Sequence, residues 1–107
     1  MQLTAKVLKD KQSFVLTVSG DMDFNQIKTF NKAVREGLTA GCKKFIFNLK
    51  AVEFMDSSAL GCLLYNQKLI TDHSGSVTII PNSIVLDLLH LTHLTDYFNL
   101  ATADSVS

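Results

Sequence analysis

The nearly continuous apolar run Phe45-Ile46-Phe47-Asn48-Leu49 constrains the fold of this chain more than any other feature of its sequence. Such a run is typical of a central strand that is covered on both faces. The chain has 107 residues, and a chain of that size buries roughly two-thirds of its unfolded surface around one core. Its apolar fraction of 47% is that of a globular protein and argues against disorder. We therefore predict one α/β domain built around this strand.

Two alternating segments precede the central strand and predict an antiparallel hairpin. The segment Leu3–Val7 alternates with period two, and Phe14–Val18 is rich in β-branched and aromatic residues. A polar turn at Lys9–Gln12 separates the two segments, and Ser19-Gly20 is expected to end the second strand.

A first helix is predicted between the hairpin and the central strand. Its apolar residues recur at helical spacing: Ile27, Phe30, Val34 and Leu38. Asp23 or Asn25 is placed to cap the start of this helix, and Gly41 is suited to close it in the left-handed conformation.

Two more helices, a strand and a short extended segment are predicted after the central strand. The second helix is expected from about Ser57 to Asp72, where His73-Ser74-Gly75 breaks it. Val77–Ile80 is expected to be a buried strand, and Ser83 is expected to cap a third helix that runs to about His90. A last short extended segment is expected near Tyr97-Phe98.

The predicted order of elements is therefore β-β-α-β-α-β-α. It indicates an α/β fold with a mixed four- to five-stranded sheet that starts with a β-hairpin and has helices packed against it. We expect a single domain over residues 1–107, with a loose tail at 101–107.

The charge balance argues against several classes of function. Ten basic and ten acidic residues give a formal net charge of zero, and they are spread along the chain. No segment resembles a basic footprint for nucleic acid or a polybasic membrane patch, so any effect of charge is expected to be local. The N-terminus lacks the apolar run of a signal peptide, and no stretch approaches the roughly 18 apolar residues that span a bilayer.

No direct membrane insertion is expected, and the two cysteines agree with a cytoplasmic protein. Cys42 and Cys62 are far apart in the sequence and form no CxxC unit. Two buried or half-buried thiols in a reducing cytoplasm are favoured over a disulfide.

The segment Asp56-Ser57-Ser58 is the candidate functional site. Asp56 and Ser57 are both good N-cap residues, and they stand directly before the apolar stretch of the second helix. Ser58 is therefore predicted to lie in the first turn, where backbone N–H groups are unpaired and the helix carries a partial positive charge. Gly61 is expected to let this turn sit close to a neighbouring strand. Taken alone, this pattern indicates only a helix cap.

The first half of the second helix is apolar on almost every side. Its apolar residues are Ala59, Leu60, Cys62, Leu63 and Leu64. Two explanations stay open at this point: part of this surface is reserved for a partner, or all of it is buried under the neighbouring loops.

A longer pattern around the two serines resembles the signature of a known family. From Asn48 to Gly61, an apolar strand leads through a short loop to Asp-Ser-Ser at the start of a helix. This run is similar to the signature of the STAS domain (sulfate transporter and anti-sigma factor antagonist). Gly20-Asp21-Met22-Asp23 resembles a second motif of that family, which follows the hairpin and precedes the first helix. The resemblance covers essentially the whole chain, including the order of its elements.

The resemblance implies a regulatory function. Stand-alone STAS domains of this size that keep the serine are bacterial anti-sigma factor antagonists, and the phosphorylated serine of that family falls on Ser58. The unphosphorylated protein is then expected to bind an anti-sigma factor, which is also an ATP-dependent serine kinase, and so to free the sigma factor. Phosphorylation is expected to end this binding, and a metal-dependent serine phosphatase to restore it.

The expected site therefore serves protein binding and has no catalytic, cofactor-binding or metal-ligating residue. The expected partner-binding residues are Asp21, Asp23, Phe24, Asn25, Asp56, Ser57, Ser58, Ala59 and Leu60. Neither a Gly-x-Ser-x-Gly elbow nor a phosphate-cradling glycine loop is present in the sequence. Asp87, His90 and His93 have a suggestive spacing but lack a fourth zinc ligand. The chain is expected to be a kinase substrate rather than an enzyme.

Two residues depart from the family pattern. Ala59 stands where glycine is usual, and its methyl group is expected to narrow the approach of a kinase to Ser58. His93 stands where the family often has glycine after the third helix, a change that is expected to affect only the end of that helix.

Two other functions stay open within the family. One is that of a constitutive STAS subunit that docks on the ATPase of a lipid transporter, although the retained Ser58 argues against it. The other is binding of a small ligand or nucleotide at the same place.

Overall fold

The computed structural model describes residues 2–102 and has the predicted order of elements, with a fifth strand at the end. The strands are β1 (Gln2–Val7), β2 (Ser13–Met22), β3 (Lys44–Met55), β4 (Ser76–Ile80) and β5 (Asn99–Leu100). The helices are α1 (Ile27–Thr39), α2 (Ser57–Asp72) and α3 (Ser83–Leu91), and a short 3-10 turn (Phe24–Gln26) precedes α1. The predicted bounds of α2 are confirmed.

The five strands form one mixed sheet in the order β1-β2-β3-β4-β5. β1 is antiparallel to β2, and all the other neighbours are parallel. The predicted hairpin and the predicted mixed sheet are confirmed. The parallel strands β2, β3 and β4 all begin at one edge of the sheet, which we call the amino edge. They all end at the opposite edge, which we call the carboxyl edge.

The central strand β3 supplies much of the core. Phe45, Ile46 and Phe47 are all buried, so successive side chains on opposite faces of β3 are covered, as the apolar run predicts. The ring of Phe47 meets that of Phe30 on α1 edge-to-face, with ring centroids 4.9 Å apart. This pair packs α1 against the middle of the sheet.

α1 approaches the sheet most closely at Gly37. A Cβ atom at this position would lie 2.7 Å from Cε2 of Phe45 and 2.8 Å from Cδ2 of Phe14. The helix therefore has glycine here because two rigid rings occupy the space of a side chain.

The second strand is longer than predicted, because it does not end at Ser19-Gly20. Gly20 has a φ of +80°, and the register between β2 and β3 shifts directly after it. This bulge accommodates an extra β3 residue, and pairing then continues with Asp21 opposite Phe54. β2 ends only at Met22.

The third helix is capped by Asn82, whereas Ser83 was expected to be its cap. The Asn82 side chain accepts a hydrogen bond from the Val85 N–H at 3.0 Å. Its amide group also donates to the backbone oxygens of Lys50 at 3.1 Å and Val52 at 2.7 Å. The Asn82 side chain has both an acceptor and a donor group. It can therefore bond the free N–H at the start of α3 and two carbonyl groups of β3 at the same time, which a serine hydroxyl at position 83 does not do.

The end of the described chain differs from prediction by two residues. The last strand is Asn99–Leu100, whereas it was expected at Tyr97-Phe98. Phe98 is instead a buried core residue. Ala101 follows β5 and is still hydrogen-bonded to the sheet, because its N–H donates to the Ile79 oxygen at 2.9 Å. The rest of the expected loose tail, from residue 103 onward, lies outside the described residues.

Both cysteines are free and buried, which confirms the expected thiols. His93 has a φ of +58°, so this non-glycine residue adopts the left-handed conformation directly after the end of α3. In the described part of the chain, none of the helices combines the length and the apolar character needed to cross a membrane.

Candidate functional site

The candidate site begins with the cap of α2 at the carboxyl edge. Asp56 is the N-cap, and its Oδ1 accepts a hydrogen bond from the Ala59 N–H at 2.9 Å. Ser57 and Ser58 are the first two residues of the helix, so Ser58 lies in the first turn as predicted. Within residues 2–102, neither backbone N–H of these two serines is hydrogen-bonded. Two free donors therefore stand at the positive end of a helix of 16 residues.

The two serine side chains differ in their exposure. Ser57 is exposed, and Ser58 is half-buried. Among the described residues, neither hydroxyl group takes part in a hydrogen bond. The Ser58 hydroxyl is thus neither sealed in the core nor committed to an internal partner.

Two residues of the expected contact face lie in the core instead. Ala59 is 0% exposed and Leu60 is 8% exposed. They are buried because they begin the stripe of α2 that packs in the hydrophobic core, together with Cys62 and Leu63. These two side chains are therefore not part of the exposed surface of the expected contact face. The apolar side chains in the first half of α2 therefore pack against the core, with Leu64 only partly buried there.

Gly61 is also placed differently from expectation. It is exposed, and a Cβ atom added to it would meet no heavy atom within 4 Å among the described residues. No neighbouring strand therefore requires glycine at this position.

A second capped turn lies beside the first. Asp23 accepts a hydrogen bond from the Asn25 N–H at 2.9 Å, and the Asp23 N–H donates to the Gln26 side chain at 3.2 Å. Asp23 thus caps the 3-10 turn, whereas α1 itself begins after Gln26 without a side-chain cap. This reciprocal capping holds the turn while it presents Phe24, which is 73% exposed.

The sheet register brings the two capped turns to the same place. Asp21 pairs with Phe54 across β2 and β3, and Met22 pairs with Met55. Asp23 and Asp56 follow directly after this last pair. The exposed and half-buried residues of the expected contact face therefore share the carboxyl edge: Asp21, Asp23, Phe24, Asn25, Asp56, Ser57 and Ser58.

Sequence reasoning missed one exposed aromatic residue at this edge. Phe54 is 50% exposed and lies directly opposite Asp21. Period-two alternation could not place it, because the β2–β3 register shifts twice before residue 54 and changes which face each β3 residue occupies. The exposed aromatic surface of the site therefore includes both Phe24 and Phe54.

A buried polar cluster lies behind the site, between α1 and α2. The Asn66 amide group donates to Asn31 Oδ1 at 2.7 Å and to the Cys62 oxygen at 2.8 Å. Ser58, Cys62 and Asn66 follow each other at four-residue spacing along one side of α2. Burial raises the pKa of the Cys62 thiol to about 12. The thiol therefore stays protonated near neutral pH and is a poor nucleophile.

No group of three or more His, Cys, Asp or Glu side chains within residues 2–102 is arranged to hold a metal ion. Asp87, His90 and His93 do not form such a group.

The fold is that of a STAS domain, and the chain belongs to this family: the STAS-domain model matches residues 4–107. A STAS-domain containing protein of Pseudomonas aeruginosa (strain UCBPP-PA14) is 32% identical over 75 residues, which make up 70% of this chain and 69% of that protein. The resemblance seen in the sequence is confirmed.

Two solved structures show how closely the fold is shared. A putative anti-sigma factor antagonist from Thermotoga maritima is 25% identical, with a TM-score of 0.83 over 96% of this chain and 89% of that one. The Bacillus cell fate determinant SpoIIAA in its phosphorylated form is 17% identical, with a TM-score of 0.75 over 97% of this chain and 95% of that one.

Proposed function

We propose that this chain is an anti-sigma factor antagonist that is switched by phosphorylation of Ser58. The unphosphorylated carboxyl edge binds an anti-sigma factor that is also a serine kinase, and this binding frees the sigma factor. Phosphorylation ends the binding, and a metal-dependent serine phosphatase restores it. The observation that carries the proposal is the half-buried, unbonded Ser58 hydroxyl in the first turn of α2, beside two free backbone N–H groups.

The named relatives support the same proposal. The Thermotoga maritima protein is described as a putative anti-sigma factor antagonist and shares a quarter of its residues with this chain. SpoIIAA has a structure in a phosphorylated form, and its fold is the fold of this chain.

The local physics allows the fold to survive the modification. A phosphate adds about −1.5 to −2 charge units near neutral pH. The positive end of α2 and the free N–H groups of Ser57 and Ser58 favour an anion at this position. The Ser58 side chain is half-buried at the start of α2 and is not enclosed in the core. We therefore expect a folded phosphoprotein.

The same phosphate weakens the interface. Asp21, Asp23 and Asp56 already place three carboxylates at the carboxyl edge. A further double negative charge turns this edge into a strongly anionic spot on a chain of zero net charge. A partner surface that fits a hydroxyl group then clashes with the larger phosphate. Binding would also bring negative charges together and would require the phosphate to lose its bound water. A loss of about 3–4 kcal/mol, or a few hundredfold in affinity, follows.

The proposed contact face differs from the one that the sequence predicts, because two residues leave it and one residue is added. Ala59 and Leu60 support it from the core and do not touch the partner. Phe54 joins Phe24 as an exposed aromatic side chain. Large aromatic residues supply much of the binding energy in protein interfaces, so these two are the proposed anchors.

The decisive experiment is phosphate mapping. The protein is incubated with ATP and each candidate anti-sigma kinase from its own genome, and the phosphorylated residue is located by mass spectrometry. Ser57→Ala is the matched control, because Ser57 is the more exposed neighbour. We expect phosphate on the wild type and on Ser57→Ala, and none on Ser58→Ala. Equal phosphorylation of Ser58→Ala would refute the proposed site.

The second experiment separates the switch from a constitutive contact. Ser58→Asp mimics part of the phosphate charge and is expected to keep the circular dichroism spectrum of the wild type. Its affinity for the kinase is expected to fall at least tenfold. Binding as tight as that of the wild type would show that the charge argument is wrong.

A further inference from the structure

Five exposed lysines gather at the amino edge, at the opposite end of the sheet from Ser58. They are Lys6 on β1, Lys9 and Lys11 in the β1–β2 turn, Lys43 just before β3, and Lys44 at its first residue. A groove of about 660 Å³ runs along residues 6–11 and is lined by three of these lysines together with Val7, Leu8 and Asp10. The chain has ten basic residues in all, so half of them share this end.

Hydrogen bonds hold the start of β3 and its two lysines against the end of the β1–β2 turn. The N–H groups of Lys43 and Lys44 both donate to the Gln12 oxygen, at 2.8 and 2.9 Å. The Lys43 ammonium group donates to the His73 oxygen at 2.8 Å, which extends the surface to the α2–β4 connection. Residues that are about thirty positions apart in the sequence are thereby fixed side by side.

The acid in the groove offsets only one of these charges. Asp10 accepts hydrogen bonds from the N–H groups of Gln12 and Ser13 and from the Ser13 hydroxyl. These bonds lower the pKa of Asp10, so it stays ionised and directs its oxygens toward its own turn.

Although the net charge of the chain is zero, its amino edge is therefore positively charged and its carboxyl edge is negatively charged. Asp21, Asp23, Glu53 and Asp56 lie at the carboxyl edge, and β3 spans the distance between the two ends from Lys44 to Met55. That strand is roughly 35 Å long at the usual rise per residue. The screening length at physiological salt is about 8 Å, so the acidic end does not cancel the field of the basic end.

We propose that the amino edge is a docking surface for the anionic headgroups of a phospholipid bilayer. Each lysine held near an anionic bilayer raises the affinity by about fivefold. Val7 is 41% exposed among the lysines and adds an apolar contact at the same place. The surface has lysines and no arginine, and residues 6–12 and 42–44 contain no aromatic side chain for stacking on bases. These features favour a lipid surface over a nucleic acid.

Docking of this kind fixes the orientation of the domain. The lysines are attracted to the membrane, whereas the reversed orientation would bring the four acids against it and is repelled. The carboxyl edge with Ser58 then faces away from the bilayer. Adsorption at the amino edge is consequently independent of the proposed phosphorylation switch.

The test is co-sedimentation with vesicles at low salt. The full chain is mixed with vesicles of about one-third phosphatidylglycerol in phosphatidylcholine, at about 20 mM salt. We expect binding that is absent with pure phosphatidylcholine. Lys9→Gln with Lys11→Gln is expected to weaken the binding about thirtyfold. The matched control, Lys28→Gln with Lys50→Gln, removes the same charge elsewhere and is expected to change it less than about twofold.

Each other outcome overturns the proposal. Equal binding of the two double variants would show that the amino edge is not the surface involved. Displacement by millimolar inorganic phosphate would indicate a discrete anion site instead of a docking surface. Binding to poly-glutamate but not to vesicles would indicate an acidic protein partner. Ser58→Asp is expected to bind vesicles like the wild type. The vesicle experiment can therefore fail while the phosphorylation switch holds, and the switch can fail while vesicle binding holds.

Discussion

Met22 pairs with Met55 across the neighbouring parallel strands β2 and β3, and each of them is followed by an aspartate that caps a helical turn. Neighbouring strands lie about 4.8 Å apart, so this one pairing sets the spacing between the two capped turns. Asp23 holds the turn that carries Phe24, and Asp56 holds the turn that carries Ser58. The proposed contact face is thereby positioned by the pairing of two neighbouring strands.

The cap of α2 is a first point to test. Asp56→Ala removes the hydrogen bond to the Ala59 N–H and is expected to lower the free energy of unfolding by about 1 kcal/mol. Asp21→Ala is the matched control, since Asp21 is exposed and its side chain accepts no hydrogen bond among the described residues. Its effect is expected to stay within about 0.5 kcal/mol. Urea denaturation of both variants measures the difference, and equal losses would contradict the capping role.

Two helix glycines are expected to respond in opposite directions to the same substitution. Gly61→Ala adds a methyl group in open space and removes a flexible residue from α2, so a gain of about 0.5–1 kcal/mol is expected. Gly37→Ala places a methyl group less than 3 Å from the rings of Phe14 and Phe45. The overpacked core is expected to lose about 1–3 kcal/mol. Thermal unfolding of both variants checks this, and two shifts of the same sign would refute the packing account.

The buried thiol of Cys62 gives a prediction about pH. Its pKa in the folded protein is raised to about 12, above its ordinary value of 9.0, because burial penalises the thiolate. The contribution of this thiol to the free energy of unfolding is therefore fully present below the ordinary pKa. It is lost as the pH rises toward the pKa of the folded protein. Cys62→Ala lacks this dependence. The difference in free energy of unfolding between the wild type and the variant is thus expected to shrink between about pH 9 and pH 11 in urea titrations. A constant difference across that window would contradict the raised pKa.

Much of the fold could be predicted because the signals for it are local. The apolar run of β3 and the change to helical spacing after Asp56 are each contained in a few consecutive residues, and the STAS resemblance linked them. The extension of β2 to Met22 could not be predicted in this way. It depends on a bulge that Gly20 forms with a partner strand more than thirty residues further along the chain.

The site was only partly predictable for the same physical reason. The serine at the helix start follows from local capping rules, and the exposure of Phe24 follows from the turn that carries it. The burial of Ala59 and Leu60 instead depends on how α2 rotates onto the sheet. The lysine surface depends on the meeting of the β1–β2 turn with the start of β3, which no window of the sequence contains.

The two exposed aromatic residues of the carboxyl edge allow binding to be separated from folding. Phe24 and Phe54 are 73% and 50% exposed, so Phe24→Ala and Phe54→Ala are each expected to change the free energy of unfolding by less than about 1 kcal/mol. If they anchor the kinase, each substitution is expected to weaken the complex by about 2 kcal/mol, or some thirtyfold. Tyr65→Ala is the control, because Tyr65 is 55% exposed but lies two turns further along α2. Calorimetric titration of the three variants measures the effect. Equal affinity of all three with the wild type would move the contact face away from the carboxyl edge, because an interface there would have to cover these rings.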